Sequence, residues 1–91
     1  MYTKVTTVIN STGLHARPAT EFVNMANHFS STVTIRNIAD DRSRVVNAKS
    51  IVLLLTLGLG QGTEVEIAAD GEDEVEAVDT LIALVESGFD E

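Results

Sequence analysis

Two side chains that could take part in a reaction, those of His15 and Arg17, lie close together in residues 13–18, which read GLHARP. Gly13 tolerates a left-handed or tight backbone just before a helical pattern begins, and Pro18 suits the first turn of that helix because it lacks an N–H group. His15 is therefore predicted at the cap or the first position of the helix. There its ring stands beside free backbone N–H groups and the positive end of the helix dipole. We expect this helix start to receive an anion, above all phosphate.

The chemistry available to His15 and Arg17 is the acceptance of a phosphoryl group. The dipole disfavours a protonated imidazole, which keeps one ring nitrogen free as a nucleophile. Arg17 adds a permanent guanidinium suited to phosphate oxygens during an in-line transfer. Spacing alone leaves two other interpretations open: His15 as a capping or structural residue, and the helix start as a binding site for a small anionic metabolite. His28 has no comparable neighbours and is expected at a helix end or on the surface.

The sequence predicts neither a metal site nor a cofactor. The chain contains no cysteine, and its acidic residues do not follow metal-ligand spacing. Residues 58–62 (GLGQG) are rich in glycine, but they lack the preceding strand and following helix that a dinucleotide site requires. We therefore expect chemistry that depends on the side chains of this chain and of its partners.

Charge is distributed unevenly along the 91 residues. Six basic and fourteen acidic side chains give a formal charge of −8, and residues 61–91 contain eleven acidic side chains but no Lys or Arg. So acidic a chain is a poor candidate for binding nucleic-acid phosphates. No apolar stretch is long enough to span a membrane, and the N-terminus lacks the pattern of a signal peptide. We expect a single soluble, cytoplasmic domain over residues 1–91.

The pattern of apolar residues predicts an α+β domain with the element order β-α-β-β-α-β-α. β-branched residues favour a first strand over residues 2–9, although Val5 and Val8 have opposite parity and leave its buried face open. Alternation or composition predicts three further strands, over residues 32–38, 44–48 and 63–69. A mainly antiparallel sheet with helices on one face satisfies this order.

Three helices are predicted between and after the strands. The first has a buried stripe at helical spacing that consists of Ala19, Phe22, Val23 and Ala26. Ser50 before and Gly58 after an apolar segment are typical start and stop signals for a second helix over residues 51–57. The last helix has a predicted buried stripe that consists of Val75, Val78, Leu81, Ile82 and Val85.

Two separate blocks of the sequence resemble the family of HPr, the histidine-containing phosphocarrier of the phosphoenolpyruvate-dependent sugar phosphotransferase system. Residues 13–20 (GLHARPAT) are similar to its active-site signature. Residues 47–51 (NAKSI) and 56–62 (TLGLGQG) are similar to its serine-site helix and the glycine-rich exit from that helix. The resemblance covers essentially the whole chain. It implies an open-faced sandwich with sheet order 1-4-2-3 and three helices on one face.

The resemblance implies a phosphoryl carrier, not an enzyme. His15 would receive the phosphoryl group on Nδ1 from enzyme I and pass it to sugar-specific enzyme IIA proteins, while Arg17 would stabilise the phosphate. The backbone of Thr12, Ala16 and Arg17 would support the same group. Partner proteins are expected to dock on Thr20, Ile51, Val52, Leu54 and Leu55.

Ser50 matches the serine that a dedicated kinase phosphorylates in some bacterial lineages, although it could also serve only as a helix cap. A second role therefore stays open, that of a regulatory paralogue acting through an HPr kinase/phosphorylase and binding to a transcription regulator. A nitrogen-related or dihydroxyacetone-related branch is also compatible with His15. We expect a monomer that neither binds nucleic acid nor inserts into membranes.

Two features depart from the family pattern. The hairpin over residues 38–46 is longer than usual and has Asp40 and Asp41 in place of a tight Asn-Gly turn, at a position expected to lie away from His15. Residues 52–55 (VLLL) are unusually apolar, and a short helix cannot bury every face in a two-layer fold. We expect some of the apolar docking residues to stay exposed beside His15.

Overall fold

The computed structural model describes residues 1–39 and 45–90. A 3₁₀ turn, Gly88–Asp90, follows the last helix. The other elements, in the predicted order, are β1 (Tyr2–Thr7), α1 (Ala16–Ala26), β2 (Thr32–Asn37), β3 (Val46–Asn47), α2 (Ile51–Leu55), β4 (Glu64–Asp70) and α3 (Glu74–Glu86).

The four strands form one antiparallel sheet in the order β1-β4-β2-β3. In the centre of the sheet, Val65 of β4 pairs with Thr6 of β1, and Ile67 of β4 pairs with Ile35 of β2. Buried and more exposed residues alternate along β4, which is typical of a sheet with one face covered and one face open. The fold class and the sheet order implied by the family resemblance are confirmed.

The hydrophobic core lies between the sheet and the helices. α3 packs against β1 and β4, and α1 packs against both α3 and α2. Phe22 of α1 and Leu81 of α3 are fully buried in the same cluster as Ile35 and Ile67 of the sheet. The buried stripe predicted for the first helix is confirmed. This packing fixes the direction of α1, whose first turn contains the candidate chemistry.

Some local predictions were wrong. α2 ends at Leu55 rather than at residue 57, because its C-cap lies at Thr56 and the chain turns through a left-handed Gly58. Val75 is exposed because it lies roughly 90° around α3 from the centre of the buried stripe, and Ala77 belongs to that stripe instead.

The sheet also shows which face of the first strand is buried, a point that the sequence pattern left open. Thr6 of β1 and Val8 just after the strand are buried whereas Val5 is exposed, so the last part of β1 turns its even-numbered side toward the core. Within the described residues the third strand is only Val46–Asn47. The predicted turn with Asp40 and Asp41 lies outside the described residues.

Asp73 connects the start of α3 to the start of β2. It is the N-cap residue of α3, but its side chain does not cap that helix. Its carboxylate accepts the backbone N–H groups of Ser30 and Ser31, at 2.9 and 3.0 Å, and both of their hydroxyls. These hydrogen bonds, chiefly the one from the Ser31 hydroxyl, lower the pKa of Asp73 to about 2.

We expect Asp73→Asn to lower the melting temperature at pH 7, by an amount that shrinks as the pH falls. The pKa of Asp73 in the fold lies below its ordinary value of 3.8, so its contribution to stability is present above that pH and is lost as the pH falls through about 2. Thermal denaturation between pH 7 and pH 2 measures this. The control Glu76→Gln, an exposed carboxylate in the first turn of α3, should keep the wild-type pH dependence. A melting-temperature difference that is the same at every pH contradicts the prediction.

Candidate functional site

The loop that leads into α1 is closed by Asn10, a buried polar residue. Its Nδ2 donates to the carbonyl of Gly13 at 2.8 Å and to the hydroxyl of Thr12 at 3.1 Å. The N–H of Gly13 donates back to the carbonyl of Asn10 at 3.1 Å. The role of Asn10 was not predicted from the sequence, although an Asn three residues before a Gly is a recognisable turn signal.

Gly13 and Leu14 attach this loop to the chain segment that leaves α2. The N–H of Leu14 donates to the carbonyl of Leu59 at 2.8 Å, and both leucine side chains are buried. Gly13 is left-handed (φ +67°), and a Cβ there would overlap the carbonyl oxygen of Leu59 and lie 2.8 Å from the Cα of Gly60. A glycine is therefore required for both the backbone conformation and the close approach.

We expect Gly13→Ala to reduce the free energy of unfolding by at least about 2 kcal/mol, because strain and overlap add together. Gly58→Ala is the matched control: Gly58 is also left-handed (φ +61°), but an added Cβ meets no atom within 4 Å. Gly58→Ala should lower the free energy of unfolding by the backbone strain alone, which is about 1 kcal/mol. Chemical denaturation of the two variants measures the difference, and equal losses contradict a close approach at Gly13.

His15 is the N-cap residue of α1, as predicted. Its backbone is extended (φ −129°, ψ 161°), and its exposed side chain makes no capping hydrogen bond. The next two N–H groups, of Ala16 and Arg17, belong to the first turn, where a helix supplies no internal acceptor. Ala16 is left-handed (φ +50°), which is strained for a residue with a Cβ. An exposed ring and two backbone donors without an acceptor inside the helix thus lie in consecutive residues.

Arg17 lies on the same turn, and 87% of its side chain is exposed. Its Nε lies 3.3 Å from Oε1 of Glu21, one turn further along α1. The hydroxyl of Thr20, which is also exposed, donates to the carbonyl of Ala16 at 3.2 Å. The contact with Glu21 was not predicted from the sequence, although the spacing i, i+4 between opposite charges is a signal for it.

Ser50 lies far from His15, at the opposite end of α1. The side chain of Asn27, the C-cap residue of α1, donates to the carbonyl of Lys49 at 3.4 Å. α1 has eleven residues and so spans about 16 Å between its ends. Ser50 caps α2, and its Oγ accepts the N–H of Leu53 at 3.3 Å. The structure therefore brings His15 and Arg17 together but places Ser50 apart from them.

α2 exposes most of its apolar residues. Val52 is 68% exposed and Leu55 is 42% exposed, and Ile51 and Leu53 are also on the surface. Leu54 is fully buried, so its assignment to a docking surface was wrong: in this helix, which packs on α1 and β3, it is the residue turned toward the core. Leu53, which sequence analysis did not include, is exposed. We call Ile51, Val52, Leu53 and Leu55 the α2 patch.

Comparison with known proteins places this geometry in a family. A family model described as "PTS HPr component phosphorylation site" matches residues 2–87. The chain belongs to the HPr family. Phosphocarrier protein HPr of Haemophilus influenzae is 47% identical over 85 residues, which are 93% of this chain and 95% of that protein.

Other HPr-family proteins are similar over nearly their full length. Phosphocarrier protein NPr of Proteus mirabilis is 46% identical over 82 residues, 90% of this chain and 88% of that protein. The crystal structure of HPr-C-His from Thermoanaerobacter tengcongensis has a TM-score of 0.91 at 43% identity and covers 100% of this chain and 98% of that one.

These matches confirm the predicted membership of the HPr family. They also confirm that the chain belongs to a family of phosphocarrier proteins rather than enzymes. The chain is about equally similar to a protein named HPr and to a protein named NPr. None of the helices in residues 1–39 and 45–90 is long and apolar enough to cross a membrane. No group of three or more His, Asp or Glu residues in the same ranges is arranged to hold a metal ion.

Proposed function

We propose that this protein carries a phosphoryl group on His15, which it receives from phosphorylated enzyme I and passes to sugar-specific enzyme IIA proteins in the cytoplasm. One observation supports this proposal above all: the exposed His15 ring at the N-cap of α1 makes no capping hydrogen bond. The adjacent N–H groups of Ala16 and Arg17 and the Arg17 guanidinium are suited to a dianion.

In the proposed transfer, a nitrogen lone pair of the neutral His15 ring attacks phosphorus. The bond between phosphorus and the donor atom breaks in line, and the donor keeps that electron pair. Charge on the three equatorial oxygens is stabilised by the backbone donors and by Arg17. We place the new bond on Nδ1, with the proton kept on Nε2, as the family resemblance implies. Transfer to an acceptor reverses these steps.

We propose that partners dock on Thr20 and on the α2 patch, which lie on neighbouring helices. An exposed apolar surface of this kind is typical of a site for protein association. Enzyme I and enzyme IIA would each contact it in turn, with the phosphoryl group at its edge. The α2 patch would also account for regulation at Ser50, because a phosphate there adds charge beside Ile51 and Val52 while lying far from His15.

Regulation by an HPr kinase/phosphorylase, with binding of a transcription regulator, is the second candidate function. It is favoured by the position of Ser50, whose hydroxyl caps the N-terminus of α2 and lies directly before the residues of the α2 patch. A phosphate at a helix N-terminus is electrostatically compatible with the helix dipole, so we expect it to block docking without unfolding α2. The two candidate functions are compatible in one protein.

The test of the carrier function is incubation of the protein with phosphoenolpyruvate and enzyme I. We expect one phosphoryl group per chain, stable in alkali and labile in acid, as a phosphorus–nitrogen bond is. Enzyme IIA should then remove it. If wild-type protein gains no phosphate under conditions in which enzyme I is itself phosphorylated, the carrier function is wrong.

We expect Arg17→Ala to slow phosphoryl transfer roughly 10- to 100-fold, because a charge-assisted hydrogen bond contributes about 1.5–3 kcal/mol. The free energy of unfolding should change by less than about 0.5 kcal/mol, since Arg17 is exposed and makes only a surface ion pair. Rapid-quench kinetics and thermal denaturation measure the two effects. Arg36→Ala, which removes a guanidinium paired with Glu66 on the sheet, is the control for net charge. A large loss of stability in Arg17→Ala would show that Arg17 is structural.

A further inference from the structure

We propose that Glu21 is a positioning residue that competes with the phosphoryl group for Arg17 and thereby keeps the phosphoryl group on His15 easy to transfer. This inference rests on the proposed carrier function. It starts from the ion pair on α1, in which Nε of Arg17 lies 3.3 Å from Oε1 of Glu21. Within residues 1–39 and 45–90, Arg17 makes no other ion pair.

The ion pair draws the guanidinium along α1, away from the end where the phosphoryl group arrives. Arg17 is two residues after His15, whereas Glu21 is one further turn toward the C-terminus of the helix. The contact is made through Nε alone. The guanidinium must therefore leave this position or be shared when it meets a phosphate at the helix start.

The pair is weak enough to be displaced. Both side chains are solvent-accessible, at 87% for Arg17 and 39% for Glu21, and water and salt screen such pairs strongly. The order of the charges, with Arg before Glu, is also the less favourable one for the helix dipole. A phosphoryl dianion on His15 is a stronger partner for a guanidinium than a single carboxylate oxygen is.

Glu21 consequently raises the free energy of the phosphorylated protein relative to the free protein. Before phosphorylation the carboxylate stabilises the position of Arg17, and afterwards it loses that partner. A carrier must release its phosphoryl group as readily as it accepts it, and a competing carboxylate favours release. Glu21→Gln removes the competing charge and keeps nearly the same size and shape.

The experiment measures how the phosphoryl group is shared between two proteins at equilibrium. ¹⁵N-labelled wild-type protein and an unlabelled variant are mixed with catalytic enzyme I and a limiting amount of phosphoenolpyruvate. Intact mass at neutral pH then gives the phosphorylated fraction of each. We expect Glu21→Gln to hold the phosphoryl group about 2-fold more favourably than wild type, the size of one exposed i,i+4 ion pair. Glu76→Gln, which removes a distant exposed charge, should share it equally.

A second pair of proteins separates competition for Arg17 from a general effect of charge. In an Arg17→Ala background, Glu21→Gln should no longer change the partition. The ¹H–¹⁵N resonance of Arg17 Nε should move on phosphorylation of wild type, and Glu21→Gln should shift it already in the free protein. Equal partition of wild type and Glu21→Gln, or an unchanged effect without Arg17, overturns the role of Glu21. Failure of every protein to accept phosphate instead overturns the carrier function.

Discussion

His15→Ala is expected to abolish phosphoryl acceptance from enzyme I completely, whereas His28→Ala should accept one phosphoryl group at the wild-type rate. The His15 ring is exposed, makes no capping hydrogen bond and stands beside two backbone donors and Arg17. Nδ1 of His28 lies 2.8 Å from the carbonyl oxygen of Asn24. Because a carbonyl can only accept, Nδ1 of His28 donates in this contact, so the ring nitrogen on which we place the phosphoryl group of His15 is occupied in His28.

The two histidine variants form a matched pair, since each removes one exposed imidazole. Both should melt close to the wild-type temperature, because neither ring is part of the core. Intact mass after incubation with enzyme I and phosphoenolpyruvate measures the result. A phosphorylated His15→Ala protein, or a His28→Ala protein that accepts nothing, would remove the basis of the proposed function.

Leu54→Ala is expected to lose about 2–5 kcal/mol of unfolding free energy, while Leu55→Ala should lose about 1 kcal/mol. The two neighbours have the same side chain, but Leu54 is fully buried and Leu55 is 42% exposed. For a domain of this size, the loss in Leu54→Ala corresponds to a fall in melting temperature of about 10 °C or more. Thermal and chemical denaturation measure both variants.

The rate of phosphoryl transfer from enzyme I should instead depend on the exposed Leu55. Leu55→Ala should slow transfer from enzyme I because it removes part of the α2 patch, although the fold is intact. Phosphorylation of Leu55→Ala by phosphoramidate, a small donor that needs no docking surface, should keep the wild-type rate. Equal losses of stability in the two leucine variants would contradict the burial of Leu54, and an unchanged rate with enzyme I would contradict docking at Leu55.

The sequence predicts the elements with regular periodicity better than it predicts α2. The apolar residues of α1 recur at helical spacing, and those of β4 recur at every second position. In both elements the residues predicted to face the core are buried. Residues 51–55 are all apolar, so no period distinguishes their faces. Only the packing of α2 against α1 and β3 determines that Leu54 turns inward.

Some features of the candidate site likewise follow from nearby residues, whereas others depend on contacts with distant parts of the chain. Gly13 and Pro18 are local signals, and they were sufficient to predict His15 at the cap of α1. The contact of Gly13 with Leu59 and Gly60 depends on a chain segment more than forty residues away. The separation of Ser50 from His15 likewise depends on how α1 and α2 pack together.

The most direct measurement of the central claim is the location of the phosphoryl group on the wild-type protein. Phosphorus–proton correlation by NMR, on protein phosphorylated by enzyme I and kept at alkaline pH, couples the phosphorus to the ring protons of the residue that carries it. We expect one phosphoryl group, coupled to the His15 ring through Nδ1. A phosphoryl group found on His28 or Ser50, or none on any residue, would contradict the account.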